Sequence, residues 1–541
     1  MKEMIAKLLE KETKLKKEEI LSLIETPPNP EMGDYAFPCF KLAGIMKKNP
    51  VEIAKELAKK IKPGKEIEEV KATGPYLNFF VNKKILAEQV LEIKEGYGKG
   101  KGKEKILLEH TSVNPNASPH VGRARNSIIG DSIKRILEFK GHKVETHYYV
   151  NDVSKQIAML ALNFKPKDTF DNLLKKYVDI SKKIKDNPKL EKSVFQLLNK
   201  FEKKDKDTEK LFKKIVETAV VGQREIFSSM GINFDYFDYE SKYLEASRNI
   251  LRELEKTGKL FKDEEGRMVL NQAGMGLDKM MKCPVLVLTR NDGTGLYPLR
   301  DIAYTIDKCK CGRNIIVLGE DQKLYFEQLK QALILLKKPY PEVVHYSFVL
   351  LKDVGKMATR SGEVVLLEEF ISEATKKAEK AIKEKKTRGD AKKVGIGAIK
   401  YAMLRNENNK NITFDWTSAL SFEGDSGPYL QYSYARASSI LRKARKKPGK
   451  IKIEKLDEKE IQLVKKILDF TKVVDDAYRQ LSPHLIANYS FELAQTFNEF
   501  YHACQVIGSK EENFRLKLVE SFRIVLKSSL YLLGIDVMEE M

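Results

Sequence analysis

The string His120-Val121-Gly122-Arg123 has the residue types of a phosphate-binding element at the start of a helix. His120 and Arg123 are three residues apart, so on a helix they share one face and can approach the same phosphate. The free backbone N–H groups and the dipole at a helix N-terminus attract the same anion, and Gly122 leaves room for a nucleotide near the backbone. The spacing therefore favours nucleotide binding.

A second basic string, Lys356-Met357-Ala358-Thr359-Arg360, supplies positive charge suited to a triphosphate. Each string also has a simpler explanation: His-x-Gly-Arg arises by chance, and a Lys-rich chain contains many solvated basic loops. The occurrence of both, in this order, favours an ATP-dependent adenylate-forming reaction. The sequence has no competing Walker or dinucleotide-binding glycine pattern in a strand–helix frame.

The flanking sequence predicts the elements that position these strings. Residues 105–109 are apolar as in a short buried strand, 111–119 are rich in turn residues, and 122–140 have apolar residues at helical spacing. Gly141 ends the helix, and 144–150 alternate as in a strand. Strand, loop, helix and strand form one right-handed crossover of a parallel sheet, and ligands bind at the carboxyl ends of such strands.

The second string follows the apolar segment 343–351 and lies between Gly355 and Gly362. Glycines on both sides predict a mobile loop rather than a helix interior. Its cations would then reach the phosphates as the loop closes.

Residues 119–126 with Gly130-Asp131 resemble the "HIGH" signature of class I aminoacyl-tRNA synthetases, in the wording of arginyl-tRNA synthetases. Residues 356–362 resemble the "KMSKS" loop of that family. The stretches 148–152, 297–304, 414–432 and 533–541 match it as well, and only a patch at about 165–245 is variable. The resemblance implies an arginine–tRNA ligase that converts ATP to AMP and diphosphate.

The resemblance also assigns residues to ATP chemistry. It implies catalytic roles for His120, Arg123, Lys356 and Arg360, and ATP binding by Pro119, His120, Gly122, Arg123, Gly319, Lys356 and Met357. Two positions depart from the pattern: Arg123 replaces the usual second histidine, and Thr359 replaces a lysine of the class I loop. Arginine donates to phosphate as a fixed cation, so we expect function to be retained, with Arg360 compensating for Thr359.

An arginine pocket needs carboxylates for the guanidinium and acceptors for the α-amino group. The resemblance implies that this pocket is formed by Glu109, Asn114, Tyr297, Asp301 and Gln322. Tyr297 and Asp301 are four residues apart at a predicted helix start and share a face; the simpler reading of Asp301 is an ordinary carboxylate at a helix N-terminus. Such a pocket rejects lysine and citrulline, so no editing domain is expected.

The implied reaction uses ATP with Mg²⁺ held mainly by the phosphates, and we expect no protein-bound metal. Cys309 and Cys311, with Cys283, match no common zinc pattern. The partners are L-arginine, ATP and tRNA(Arg), whose 3′ end receives the arginyl group. The family generally requires bound tRNA for activation.

Composition agrees with these expectations. A length of 541 residues allows two to four domains, and a net charge of +21 favours a polyanionic partner, although many lysines also simply confer solubility. No run of eighteen apolar residues predicts a membrane span, and five cysteines suit a reducing cytoplasm. We expect a cytoplasmic monomer.

The predicted fold is α/β, with a Rossmann-like parallel-sheet catalytic domain at 101–412, a small N-terminal α/β domain at 1–100 and a C-terminal α-helical bundle at 413–541. The catalytic domain contains an insertion at about 165–245. Apolar three–four spacing predicts helices at 463–477, 491–506 and 514–533. By resemblance, the first domain binds the tRNA elbow and the last binds the anticodon. The tRNA-binding candidates are Tyr76, Asn78, Tyr429, Gln431, Tyr432 and Arg436. The simpler reading places these aromatic side chains in the core.

Two other classes of function share part of this sequence pattern. A non-catalytic tRNA-binding paralogue would carry Arg123 as a trace of lost activity, but damage should then extend to the lysine loop and the arginine pocket. A cysteinyl-type synthetase would show zinc-binding thiolates, and a nucleotidyltransferase would not need so large a C-terminal helical bundle.

Overall fold

The computed structural model describes residues 1–116, 118–185, 187–352, 355–356, 365–444, 449 and 451–541, with the backbone alone at Pro30, Leu351, Gly355 and Lys356. The chain forms two compact units, each assembled from three separate segments. Unit 1 consists of Met1–Glu95, Ile440–Asp469 and Thr496–Ile524, and unit 2 consists of Gly96–Ser439, Phe470–Gln495 and Val525–Met541.

The helices are, in chain order, α1 (Lys2–Glu12), α2 (Lys17–Leu23), α3 (Phe40–Met46), α4 (Pro50–Lys60), α5 (Lys83–Leu91), α6 (Val121–Phe139), α7 (Lys155–Ala161), α8 (Phe170–Lys185), α9 (Pro188–Glu202), α10 (Lys206–Ser229), α11 (Leu244–Glu255), α12 (Tyr297–Lys308), α13 (Lys323–Leu335), α14 (Leu367–Glu384), α15 (Ala391–Leu404), α16 (Trp416–Ala419), α17 (Gly427–Ala444), α18 (Glu458–Leu468), α19 (Phe470–Gln480), α20 (His484–Ala503) and α21 (Glu512–Leu532). The strands are β1 (Tyr35–Pro38), β2 (Ile67–Thr73), β3 (Tyr76–Val81), β4 (Lys105–Thr111), β5 (Lys143–Val150), β6 (Tyr236–Tyr239), β7 (Leu260–Lys262), β8 (Met268–Asn271), β9 (Val285–Val287), β10 (Arg313–Gly319), β11 (Glu342–Tyr346), β12 (Val349–Leu351), β13 (Gly355–Lys356) and β14 (Ile412–Phe414).

Unit 2 is built on a five-stranded sheet in the order β11-β10-β4-β5-β6, and every neighbouring pair in it is parallel. The crossover β4–α6–β5 joins two adjacent parallel strands, as the sequence predicts. After β4 the chain first adds β5 and β6 on one side and later β10 and β11 on the other. The order therefore reverses between β4 and β10, which is where an open parallel sheet binds its ligand.

The strands and helix of this crossover follow from their residues. Ile106, Leu107 and Leu108 of β4 are all buried because helices and neighbouring strands cover both faces of a parallel sheet. Helix α6 lies close to β4, so close that a Cβ on Gly130 would fall 2.1 Å from the ring of His110. Gly141, at φ +91°, ends the turn after α6 in a left-handed conformation.

The variable patch is largely helical. Helices α8, α9 and α10 occupy most of the 165–245 range, and their apolar side chains, such as Leu198 and Phe212, are buried. Strand β6, at the end of the same range, is the edge strand of the parallel sheet. The range therefore contains three helices and, after them, the strand that completes the sheet.

Unit 1 contains an antiparallel sheet in the order β1-β3-β2 and the helices α1 to α5. The Asn49 and Asn82 side chains cap α4 and α5 by accepting backbone N–H groups. Ser521 of α21 donates to the carbonyl of Val90 at 2.8 Å, so residues from the two ends of the sequence share this unit.

The predicted C-terminal helical bundle is helical, but one predicted helix is wrong. The segment 463–477 is two helices, α18 and α19, with a break at Asp469, which is also a boundary between the two units. Apolar residues keep their three–four spacing across the break, so the pattern gives no sign of it. The domain boundaries at 100 and 412 stay a prediction.

Candidate active site

A cavity of about 490 Å³ opens at the carboxyl ends of β4 and β10 in unit 2. Its lining includes all five residues predicted to bind arginine and two of those predicted to bind ATP, namely Glu109, Asn114, Tyr297, Asp301, Gln322, Arg123 and Gly319. Residues separated by more than two hundred positions therefore meet where the strand order reverses.

Asp301 is a carboxylate of this cavity that has no cation paired with it among the described residues. It lies in the second turn of α12, where its Oδ2 accepts a hydrogen bond of 2.5 Å from the Tyr325 hydroxyl. None of the ion pairs among the described residues involves it, and burial raises its pKa to about 6. A cationic ligand would supply the missing partner charge. Tyr297, one turn earlier, is 51% exposed and packs against Tyr325.

Glu240 is a cavity carboxylate that the sequence did not single out. It is 1% exposed and pairs with Arg300, which also donates to the Gly295 carbonyl at 2.6 Å. Burial raises the pKa of Glu240 to about 7, and its Oε2 has no hydrogen-bond partner among the described residues. One of its two oxygens thus remains available to a ligand.

Glu109, at the end of β4, is already neutralised. Its Oε2 lies 2.5 Å from Nζ of Lys308, and both side chains are less than 10% exposed. The Lys308 ammonium also stands 4.7 Å from the ring centre of Tyr304. Removing either charge would leave the other buried alone, which is costly, so this pair is a fixed wall of the cavity.

Further polar groups of the cavity lining have no partner in the described part of the chain, among them the buried Tyr149 hydroxyl and the buried Asn151 side-chain oxygen. The Tyr149 ring stacks on Tyr304 with 4.6 Å between ring centres, which fixes its direction. Because buried polar groups normally find partners, these two atoms mark positions where a ligand would form hydrogen bonds.

The start of α6 presents the first predicted phosphate-binding element. His120 is the N-cap residue, and its Nδ1 has no partner among the described residues. Burial and the neighbouring Arg123 charge lower the pKa of His120 and keep it neutral. A Cβ on Gly122 would lie 3.0 Å from that Nδ1, so the glycine makes room for the imidazole. Burial raises the pKa of the Tyr346 hydroxyl, and the nearby Arg123 charge partly opposes that rise.

The second predicted element begins on β13. The backbone of β13 pairs antiparallel with β12, placing Lys356 opposite Leu350. Met357 and Arg360 lie outside the described residues. Beyond them, the Val365 carbonyl accepts from the N–H of Val121, and the N–H of Leu367 donates to the Pro119 carbonyl, at 3.1 and 2.8 Å. The first residues of α6 therefore hold the chain just after this element.

Gly319 and Gln322 line the cavity on the side of β10. A Cβ on Gly319 would come within 2.3 Å of the Asp321 carboxylate, which would then have to move aside. On the opposite wall, the Asn114 carbonyl is held by Nε2 of Gln223 at 3.0 Å.

The residues predicted to bind tRNA differ from one another in how exposed their side chains are. Tyr76 is half-buried and packs edge-on against Phe40, whereas Asn78 is buried and donates to Thr73 at 3.2 Å. Gln431 is fully buried and donates to the carbonyls of Lys393 and Asp536. Both amides thus already donate within the protein, and the predicted tRNA contacts of Asn78 and Gln431 stay a prediction.

The other three tRNA candidates lie on α17 and are half-buried. The Tyr429 ring is 5.8 Å from that of Phe491. The Arg436 guanidinium stands over the Tyr432 ring at 4.8 Å. These side chains keep part of their surface exposed.

Two cavity residues that were not predicted to bind a ligand, Asn151 and Glu240, could have been found from their positions at strand ends. Asn151 follows β5 and Glu240 follows β6, each directly after the last residue of a parallel strand. Side chains at the carboxyl ends of such strands collect at one edge of the sheet. Among the described residues, no cluster of three or more His, Cys, Asp or Glu side chains forms a metal site.

A model described as the catalytic domain of class I tRNA synthetases (R) matches residues 85–416. Models of the arginyl tRNA synthetase N-terminal domain and the DALR anticodon binding domain match residues 1–81 and 430–541. The arginine–tRNA ligase of Methanocaldococcus jannaschii is 37% identical, covering 99% of this chain and 97% of that protein. That of Clostridium perfringens is 36% identical, covering 100% of both.

Solved structures resemble this one as well. Thermus thermophilus arginyl-tRNA synthetase superimposes with a TM-score of 0.81 at 28% identity, covering 96% of each chain. Plasmodium falciparum arginyl-tRNA synthetase shares the fold, with a TM-score of 0.76 at 22% identity, covering 96% of this chain and 94% of that one. In the part of the chain that the structure describes, no helix has the length and apolar character needed to cross a bilayer.

Proposed function

Because the chain belongs to the arginyl-tRNA synthetases of class I, we propose that it activates L-arginine with ATP and transfers the arginyl group to the 3′ end of tRNA(Arg). The first step forms arginyl-adenylate and releases diphosphate. The second esterifies a terminal ribose hydroxyl of the tRNA and releases AMP.

The observation that carries the arginine assignment is the Asp301 carboxylate. It is half-buried in the cavity beside a hydroxyl donor and takes part in none of the ion pairs of the described residues. A guanidinium offers five donors in a planar fork and matches carboxylates in geometry as well as charge. Glu240, whose second oxygen is unpartnered, provides the second acceptor. A neutral analogue such as citrulline would leave these carboxylates uncompensated and bind poorly.

Glu109, Asn114, Tyr297 and Gln322 complete the arginine site in this proposal. All four line the same cavity. Tyr149 and Asn151 add two hydrogen-bonding groups that have no partner among the described residues. The Asn151 oxygen can accept from the α-amino group of an amino acid, and the Tyr149 hydroxyl can donate to its carboxylate.

For ATP, we propose binding at the start of α6, with Pro119, His120, Gly122 and Arg123 next to the phosphates and Gly319 close to the nucleoside. The free N–H groups of a helix N-terminus favour an anion there. Lys356, Met357 and Arg360 complete the site from the second element. Mg²⁺ enters with ATP and is held mainly by its phosphates.

The chemistry requires no nucleophilic side chain. One carboxylate oxygen of arginine attacks the α-phosphorus in line, and the bond to the bridging oxygen of diphosphate breaks. The protein contributes orientation and stabilisation of the charge that develops on phosphorus and on diphosphate. His120, Arg123, Lys356 and Arg360 are the proposed donors and cations.

We propose that tRNA is needed for activation itself, that Tyr76, Tyr429, Tyr432 and Arg436 contact it, and that the enzyme is a cytoplasmic monomer. Tyr76 and the three α17 residues retain exposed surface, and the net charge of +21 suits a polyanion.

The deciding experiment is ATP–diphosphate exchange by the full-length protein with each of arginine, lysine and citrulline, with and without a tRNA(Arg) transcript. Exchange that requires both arginine and tRNA would support the whole proposal. Exchange with arginine alone would keep the synthetase and remove the tRNA requirement. No exchange with any amino acid, while tRNA still binds, would leave the non-catalytic paralogue.

A further inference from the structure

Arg125 is a buried arginine that the reaction does not use. It lies on α6 two residues after Arg123 and is 0% exposed. Its guanidinium donates to three backbone carbonyls: from Nη1 to Ser347 at 2.5 Å and Lys410 at 2.7 Å, and from Nη2 to Glu407 at 3.1 Å. It takes part in none of the ion pairs of the described residues. Burial lowers the pKa of Arg125 to about 10.

The carbonyls that Arg125 binds lie just before two paired strands. Ser347 precedes β12, and Glu407 and Lys410 precede β14, which pairs parallel with β12. Ser347 is itself tied to this turn, because its N–H donates to the Asn408 carbonyl and its hydroxyl to the Asn409 carbonyl, at 2.9 and 2.6 Å. Arg125 therefore fixes the starting points of both strands to α6.

Strand β12 in turn carries the second phosphate-binding element, because β13 with Lys356 pairs with it. On the far side of that element, Val365 and Leu367 bond to Val121 and Pro119 at the start of α6. The chain is thus attached to α6 before and after the element, and Arg125 provides the attachment before it.

An apolar side chain would fill this volume without the cost of burying a charge. Arginine does what an apolar residue cannot, because its rigid fork holds several carbonyls in one relative position. The bonded carbonyls also come from two segments about sixty residues apart in sequence. The contact therefore holds these two segments in a fixed position relative to each other, rather than stabilising a single turn.

We propose that Arg125 is a positioning residue that sets the distance between the phosphate-binding start of α6 and the strand pair carrying Lys356. The inference rests on the proposed function, in which Lys356 and the start of α6 act on the same triphosphate. Substituting Arg125 should then impair use of ATP through Lys356 while leaving the arginine pocket intact.

The test uses the full-length enzyme with tRNA in the exchange assay. Arg125→Lys, which keeps the charge but not the fork, and Arg125→Gln are each made alone and together with Lys356→Ala. We expect Arg125→Lys to lower kcat/KM for ATP at least tenfold with KM for arginine unchanged. In the Lys356→Ala background the same change should cost less than twofold, because residues that act through one another are not additive.

The matched control is Arg135→Lys. Arg135 is a partly buried arginine on the same helix, paired with Asp131 at 2.8 Å, and its effect should be equal in both backgrounds.

Equal losses for Arg125→Lys in both backgrounds, or a parallel rise in KM for arginine, would show that Arg125 only supports the fold and would overturn the inference. Arg125→Lys decides the question if Arg125→Gln fails to fold. An unsubstituted enzyme without exchange would overturn both this inference and the proposed function, whereas an active enzyme without the coupling would overturn the inference alone.

Discussion

The acidic residues of the cavity differ in how completely each is neutralised. Lys308 balances Glu109 and Arg300 balances Glu240, whereas Asp301 has a tyrosine hydroxyl. A ligand cation would therefore gain more from Asp301 than from Glu109 or Glu240, since those two carboxylates already hold partners. Selectivity for arginine should depend on this residue first.

Asp301→Asn should lower kcat/KM for arginine by about a hundredfold, because it removes one member of a buried charge pair. The Asn oxygen can still accept from Tyr325, so the fold should persist. Asp307→Asn, on the exposed side of the same helix, is the control and should change activity less than twofold. Exchange kinetics with arginine varied at saturating ATP measure both. An unchanged KM and kcat in Asp301→Asn would refute the assignment.

Arginine binding should weaken as the pH falls from 8 to 6. The pKa values of Asp301 and Glu240 are raised to about 6 and about 7 by burial. A bound cation stabilises the ionised carboxylates, so binding at low pH must first release their protons. KM for arginine should rise about tenfold over this range. Glu240→Gln should flatten the upper part of the profile; a profile that it leaves unchanged would exclude Glu240 from the effect.

Arg123 stands at the position where the resembled pattern usually has a second histidine, and we expect it to act there as a phosphate-binding cation. Arg123→Ala should lower kcat for exchange by about a hundredfold, the typical loss for one transition-state donor. Arg123→His should recover much of the rate, because imidazole can also donate to phosphate. Equal rates for Arg123→Ala and the unsubstituted enzyme would show that Arg123 does not contact the phosphates.

At the level of elements, the close contact between α6 and β4 limits the size of the side chain that α6 can have at position 130. Gly130→Ala would place a methyl group against the His110 ring, and overpacking of this kind costs about 1–3 kcal/mol of unfolding free energy. Gly44→Ala in α3, where no atom lies within 4 Å of the new Cβ, should be neutral or stabilising. Thermal unfolding of both variants tests this. Equal midpoints would mean that His110 moves aside freely.

The sequence predicted the elements whose signal is local. The strand, helix and strand around His120 were correct within one or two residues, because apolar periodicity and Gly141 specify them directly. The motif residues then fell at the strand ends where a parallel sheet must bind its ligand. Seven of the predicted residues meet in one cavity for this reason.

The features missed are those that depend on distant partners. Glu240 has no periodic neighbour, and its environment is created by Arg300, sixty positions later. The sequence around Asn78 and Gln431 likewise does not reveal that their amides donate to other groups of the folded chain. The break at Asp469 leaves the apolar spacing intact, so no local pattern reveals it.

At the scale of the whole molecule, the charge of +21 predicts how tRNA binding responds to salt. The logarithm of the association constant for the tRNA(Arg) transcript should fall linearly with the logarithm of the salt concentration. Lysine and arginine side chains that contact phosphates release counterions from the tRNA, and added salt opposes this release. Between about 50 and 200 mM salt we expect a loss of at least tenfold. KM for arginine, which binds inside the cavity, should change little over the same range. A salt-independent tRNA affinity would contradict an electrostatic interface.

Unit 1 draws on three segments, Met1–Glu95, Ile440–Asp469 and Thr496–Ile524. A ribosome must therefore translate the long stretch between the first segment and the last before this unit has all of its parts. The first ninety-five residues emerge early and must wait for partners such as Ser521, whose hydroxyl reaches the Val90 carbonyl. Chains cut short by a late nonsense codon would thus leave that early segment unfinished and exposed to proteases, so incomplete copies should be removed rather than compete for tRNA.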